Sequence, residues 1–429
     1  MTAQIDESAG GSLARTVVGF RTAIGLATLL MLGLSWPLWT GSADVPRVPF
    51  LGGLPEGPRW ASVAPFGVLA VTLGLATAGI AWRWMLGLAV VATVALVVGD
   101  QQRFQPWVYQ FGMAALALAT TSASRALGLA RLFVVALYVH SGLSKADAAF
   151  AHEMGPQLLA GALRPFGLDP WTWPAGVRLG AVMVMPAFEL AVGLGLCLAR
   201  TRRAALAGAV AMHAALIWTL GPWGLGHSTI VLVWNAALIV EDVTLFGWAP
   251  SPVVAAGDTW LAPLTRAAFV AAAVLPLGER WGLWDAWPSF ALYASHTERT
   301  IVLIDPTGVK LPDPIRRALG PADEQEGGFR TLDLTAWSRD VRGVPVYPQN
   351  RARNGLAEAL AARYPGVAVR VIQWGRADQW TGRRTRDDLF GLDAIRRYGD
   401  RYRLNAHPAG TAWSARGAGA PPGQEGLAP

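Results

Sequence analysis

Ten consecutive residues, Tyr138-Val139-His140-Ser141-Gly142-Leu143-Ser144-Lys145-Ala146-Asp147, hold six side chains that donate, accept or carry a proton. On a helix, Tyr138, Ser141 and Lys145 fall on one stripe and His140, Ser144 and Asp147 on the next. One face of that helix end is therefore polar. Of 36 basic residues only Lys145 and Lys310 are lysines, and the rest are arginine. A lysine kept in so arginine-rich a chain draws notice, because a desolvated ammonium can release its proton and act as a base, whereas guanidinium cannot. The competing reading is a lysine that snorkels from a helix end to the membrane surface.

Glu189 lies mid-run in "MPAFELAVGLGLCLA", three residues after Pro186, which removes a helix hydrogen bond. Its carboxyl is expected to be neutral, paired with Lys145, or paired with His213. His213 stands alone in "AMHAALIW" and reads either as a satisfied core histidine or as a site residue. Two polar turns accompany these residues. Asp100-Gln101-Gln102-Arg103-Phe104-Gln105-Pro106-Trp107 suggests a hydrogen-bonded cap or the edge of a polar site. Gly221-Pro222-Trp223-Gly224-Leu225-Gly226-His227 leads into Trp234-Asn235. Candidate binding residues are Tyr138, His140, Ser141, Ser144, Glu189, His213, Asp100, Arg103, His227 and Asn235, with Lys145 the candidate base.

Several chemistries find no signature. No HExxH, P-loop, GxSxG or cysteine–histidine zinc spacing occurs, and the six histidines are dispersed, so no metal is expected. The single cysteine, Cys197, excludes an internal disulfide and is expected to pack as a small apolar residue. The net charge of +7 comes without a basic block, so nucleic acid is not an expected partner.

The elements that must position these groups are apolar. Hydrophobic residues make up 53% of 429 and charged residues 15%, against about 25% in soluble proteins. Residues 1–279 contain 28 charged side chains and residues 280–429 contain 37, so the first part reads as membrane and the second as soluble. Spans are expected near Val17–Trp39, Ala64–Trp82, Trp84–Gly99, Trp107–Thr121, Leu129–Lys145, Gly176–Ala199, Ala204–Trp223, Thr229–Phe246 and Pro263–Leu277, the fourth and ninth being short. The fold expected is an all-α polytopic bundle of eight or nine transmembrane helices with a small soluble α/β C-terminal domain.

Arg200, Arg202 and Arg203 crowd one short loop, which points that loop and residues 1–16 to the cytoplasm. The two polar turns and Lys145 then share the outer face. Nine spans put the tail outside and eight put it inside. The tail domain is expected over 280–407. Strands are read at Ser289–Asp305 (one or two) and Val367–Trp374, helices at Pro348–Tyr364 and Leu389–Tyr398, and disorder from Pro408 onward. Pro345-Val346-Tyr347-Pro348-Gln349 and "LNAHP" at 404–408 name no reaction.

Residues 129–248 resemble the DoxX/MauE group of four-helix membrane proteins. The likeness rests on Gly142-Leu143-Ser144-Lys145 and on Pro186, Glu189-Leu190 and Gly193-Leu194. It implies a membrane partner in redox or quinone-linked pathways. The same "SGLSKADAAF" is similar to the membrane domain of vitamin K-dependent γ-carboxylase and its bacterial HTTM relatives. Their Ala-Gly-x-Lys-Lys-x-x-x-x-Trp pattern holds a lysine that acts as base toward a quinol. Lys145 matches the second lysine, Ser144 replaces the first and Phe150 the tryptophan. The expected function is an intramembrane polar cavity in a multi-pass protein of the bacterial inner membrane. Its ligand would be a quinone- or lipid-like molecule, or it would serve a redox partner protein. The alternatives are a carboxylase-like enzyme and a structural or assembly protein without ligand.

Overall fold

A computed structural model describes residues 2–42, 44–58, 60–247, 257–324 and 326–411, with the side chains of residues 2–10 left out. Among these residues twelve α-helices come first: α1 (Thr2–Leu34), α2 (Trp36–Thr40), α3 (Trp60–Thr77), α4 (Trp82–Gly99), α5 (Pro106–Thr120), α6 (Ala123–Ser144), α7 (Ala148–His152), α8 (Met154–Leu163), α9 (Ala175–Cys197), α10 (Arg202–Leu220), α11 (Thr229–Phe246) and α12 (Ala262–Val274). Among the described residues seven, α1, α3, α4, α6, α9, α10 and α11, are long and apolar enough to cross a membrane. They give the chain the build of a multi-pass membrane protein. The two spans expected to be short are short: α5 has 15 residues and α12 has 13. Residues 2–16 continue α1 as helix, and the span expected to reach Trp39 breaks at Ser35.

The bundle packs by close approach. A Cβ on Gly142 of α6 would meet Leu190 Cγ at 2.7 Å and Pro186 O at 2.9 Å. One on Gly193 of α9 would meet Tyr138 Cβ at 3.0 Å. Small residues at such crossings let backbones touch where lipid gives no hydrophobic drive to associate. The glycines of the two short motifs thus hold α6 against α9, which brings the polar end of α6 beside Glu189.

The C-terminal unit is α/β, as expected, with more strands than expected. Its elements are β1 (Arg299–Asp305), α13 (Asp313–Arg317), β2 (Leu319–Ala322), β3 (Arg330–Leu332), α14 (Leu334–Arg342), α15 (Asn350–Arg363), β4 (Ala368–Trp374), β5 (Arg386–Phe390) and α16 (Gly391–Gly399). The sheet runs β2-β3-β1-β4-β5, every pair antiparallel, with Val302 opposite Val371 and Leu332 at its centre. Val302, Val371, Leu356 and Leu360 form its core with Trp337. Asp333 caps α14 by accepting from the Thr335 and Ala336 amides.

Two expectations for the tail need correction. Residues 289–298 are turns, and only Arg299–Asp305 of the expected strand region is strand. Phe290 and Tyr293 take left-handed conformations (φ 57° and 60°), which no strand accommodates. Their rings are drawn into the membrane bundle instead: Phe290 packs edge-on to Phe133 at 5.1 Å. The disorder expected from Pro408 does not hold for residues 408–411. Ala409 and Gly410 bond the carbonyls of Arg47 and Leu54, and residues 412–429 lie outside the described residues.

Candidate functional site

A cavity of about 370 Å³ lies among α6, α8, α9, α10 and α11. That volume suits a small-molecule site. Most of its wall is apolar, from residues such as Leu137, Phe150, Met185, Met212, Leu216 and Leu238. Its polar groups are Tyr138, Ser141, Lys145, Glu189, His213, Thr219, Asn235 and Tyr293. Six of these were expected from the sequence. Val184, Phe188, Ala211 and Ala215 both line the cavity and are exposed on the outer surface of α9 and α10. The mouth of the cavity therefore opens between α9 and α10.

Lys145 sits at the cavity's upper edge, where α6 ends. Its Nζ donates to Glu189 Oε2 at 2.6 Å, Ser141 Oγ at 2.6 Å and Ser141 O at 3.1 Å. All three ammonium protons are thus satisfied. The lysine side chain is 6% exposed and the glutamate's 13%. Of the three states expected for Glu189, the structure has it paired with Lys145, and the lysine turns inward to the carboxylate.

Two turns along α6 from Lys145, Tyr138 Oη lies 2.7 Å from His213 Nε2 and donates to Asp242 Oδ2 at 2.5 Å. His213 Nδ1 lies 2.8 Å from Asn235 Oδ1, and Asn235 Nδ2 donates to Val231 O at 2.8 Å. Glu241 accepts from Gln110 of α5, whose Oε1 accepts from Trp234 Nε1 at 2.8 Å. Gln110, Trp234, Glu241 and Asp242 were missed as a network by sequence reasoning. The available signal was spacing: Asn235 and Asp242 are seven apart, two helical turns on one face. The acids sit near the end of α11, where charge usually reads as a cap.

The remaining candidates lie elsewhere. His140 points away and its Nε2 lies 2.8 Å from Ala273 O of α12. Ser144 donates to Ser141 O of its own helix at 2.8 Å. His227 packs edge-on to Tyr293, a roof residue, at 5.5 Å without lining the cavity. Arg103 ties helix ends together by donating to the carbonyls of Leu38, Trp39 and Leu96 and to Ser62 Oγ. Asp100 accepts from the Val48 and Gln102 amides. Cys197 is exposed, on the outer side of α9, against the expectation of a packed thiol.

The Asp100–Gln105 turn is a docking surface for the C-terminal unit. Gln101 Nε2 donates to Asn405 O at 2.7 Å, Gln102 Oε1 accepts from the Tyr347 amide at 2.7 Å, and Gln105 Nε2 donates to Pro345 O at 3.3 Å. Arg351 reaches Gln101 Oε1 at 2.9 Å and grips Asp285 with both guanidinium nitrogens. The two tail motifs that named no reaction are the partners of this turn. A second seam lies beside Lys145. His296 presents Nδ1 to Asp147 and Nε2 to Glu279, each at 2.7 Å, and Arg376 pairs with Glu279.

No family model matches the chain, and neither does any curated protein or solved structure.

Proposed function

We propose that the chain crosses the bacterial inner membrane nine times and binds a quinone- or lipid-like molecule in the cavity between α6 and α11. The observation that carries this reading is the site's polarity. Among the described residues Lys145–Glu189 is the ion pair with both partners on the cavity wall, and it stands at one edge of a mostly apolar chamber whose mouth, between α9 and α10, would face hydrocarbon. A ligand with an apolar body and one polar end matches it: the body fills the chamber, and the polar end meets Glu189, Ser141 or Tyr138. The nine passes follow if α5 and α12 each cross with help from flanking turns. The C-terminal unit then lies on the Lys145 side, opposite residues 2–16. The DoxX/MauE and HTTM resemblances supply the redox context of this proposal, either a maturation pathway or a redox partner.

The test is mass spectrometry of molecules retained after purification in mild detergent. Wild type should retain one isoprenoid quinone or lipid species in near-equal amount to protein, and Ala215→Trp, at the mouth, should lose it. Identical profiles in both proteins would overturn the reading and leave a scaffold without ligand.

An enzymatic reading is favoured by one contact. Lys145 Nζ is 2.6 Å from Glu189 Oε2, so a proton passed to the carboxylate leaves a neutral amine at the cavity edge. That amine is the base a carboxylase-like quinol chemistry needs. Quinol- and oxygen-dependent turnover lost in Lys145→Arg would establish it.

A further inference from the structure

The end of the cavity away from Lys145 contains a chain of groups that ligand anchoring does not require. Asp242 Oδ2, Tyr138 Oη and His213 Nε2 follow one another at 2.5 and 2.7 Å, all within the bundle. Asp242 is fully buried, and its other oxygen, Oδ1, has no hydrogen-bond partner. Ionisable side chains at membrane depth are costly and mark ion or proton pathways.

The hydrogen-bond roles are constrained by Asn235. Its Nδ2 faces a helix carbonyl, Val231 O, and must donate; its Oδ1 therefore accepts, and His213 Nδ1 carries a proton. The rest of the chain then satisfies itself in two ways. In the first, protonated Asp242 donates to Tyr138, which donates to a neutral His213 Nε2. In the second, the His213 imidazolium donates to Tyr138, which donates to the Asp242 carboxylate. Passing between them breaks the Asp242 O–H and the Tyr138 O–H and forms a new Tyr138 O–H and a His213 N–H. Tyrosine stays neutral, the aspartate becomes anionic and the histidine cationic. Every hydrogen bond survives, so the exchange needs no conformational change.

The chain also runs in a useful direction. Asp242 is four residues from Phe246, the end of α11, or about 6 Å along the axis. His213 lines the cavity. The other charged groups near the chain are already engaged: Glu241 with Gln110, and Glu189 with Lys145. We propose that Asp242, Tyr138 and His213 form a proton relay between the cavity and the membrane face at which α11 ends. It would load or unload a proton at the cavity wall from the side opposite Lys145, whatever molecule fills the chamber.

Solvent exchange of the His213 Nε2 proton tests this on the full chain, labelled with ¹⁵N-histidine in lipid nanodiscs without added ligand. The His213 signal is assigned by its loss in His213→Asn. Asp242→Asn and Tyr138→Phe, both near-isosteric, should each slow the exchange at least about tenfold, a barrier increase of ~1.4 kcal/mol. Exchange unaltered by either relay variant overturns the relay. If Asp242→Asn does not accumulate in the membrane, Tyr138→Phe decides alone. An empty cavity in the mass-spectrometric test leaves this measurement intact, so the two readings fail separately.

Discussion

Lys145 and Glu189 pair at 2.6 Å across the closest approach of α6 and α9. Removing one partner strands the other's charge in the bundle. Lys145→Met should therefore destabilise the protein by about 3–5 kcal/mol, and Glu189→Leu by a similar amount. The double variant should recover most of the loss, because two apolar side chains of like volume suit this setting. Thermal unfolding in detergent gives the three values. Additive losses in the double variant would mean that the pair does not couple. Lys145→Arg keeps the charge but brings a planar, bulkier fork to a site where Ser141 and Glu189 hold a compact ammonium. It should retain abundance and lose bound ligand.

The crossing that creates the pair predicts its own effect. Gly142→Ala forces a methyl to within 2.7 Å of Leu190 Cγ and 2.9 Å of a backbone oxygen. The helices must part, at a cost of about 1–3 kcal/mol. Gly128, on the same helix, has open space where its Cβ would go. Gly128→Ala should be neutral or stabilising by about 0.4–1 kcal/mol through the unfolded chain alone. Opposite signs for two Gly→Ala changes on α6 separate helix crossing from helix propensity.

The contrast between these glycines shows what was legible in the sequence. Gly142, Lys145, Pro186, Glu189 and Gly193 stood out because charge or small residues inside apolar runs need a reason. Periodicity then placed Tyr138 and Ser141 beside Lys145. Asp242 and Glu241 stayed hidden because acids near a helix end read as solvated. Their depth depends on Gln110 and Tyr138, which come from other helices. Asp100 and Arg103 looked like site residues because buried polar turns share a composition with binding sites. Arg103 instead ties helix ends at Leu38, Trp39, Leu96 and Ser62, and the glutamines of the same turn meet tail residues more than 230 positions away, Pro345 and Tyr347. Strands β2 and β3 have four and three residues, too few to show a period. Nothing local marked Phe290 and Tyr293 as left-handed, since the aromatic cluster that draws in Phe290 is tertiary.

Orientation has a direct test. Arg202 lies near Arg131, at the end of the bundle where α6 starts, and the C-terminal unit docks at the other end through Gln101 and Gln102. A reporter after Arg203 should read cytoplasm, and reporters after Gly226 and at Pro408 should both read the opposite side. A cytoplasmic signal at Pro408 with an outside signal at Gly226 would remove one of the short crossings.

The second docking seam should make the protein's stability depend on pH. His296 is buried between Asp147 and Glu279, two residues beyond the site lysine in the first case. Burial disfavours its imidazolium, but hydrogen bonds to the two carboxylates outweigh that and raise its pKa above the ordinary 6.5. Burial likewise opposes the carboxylates' charge. The bond to His296, with the Phe150 amide and Arg280 for Asp147 and Arg376 for Glu279, lowers them below 3.8 and 4.5. The signs follow from linkage. The histidine's contribution is complete below 6.5 and is lost as pH rises through its raised value. The carboxylates' contributions are complete above 3.8 and 4.5 and are lost as pH falls through their lowered values. The seam should hold most tightly between 4.5 and 6.5. Amide exchange in β1 and α7, followed from mildly acidic to alkaline buffer, should show protection falling on the alkaline side. His296→Gln keeps one hydrogen bond but no charge, and should flatten that limb while lowering protection at pH values where wild type is tightest. The same alkaline fall in His296→Gln would assign it to other groups and deny His296 its part in holding the C-terminal unit against the roof of the cavity.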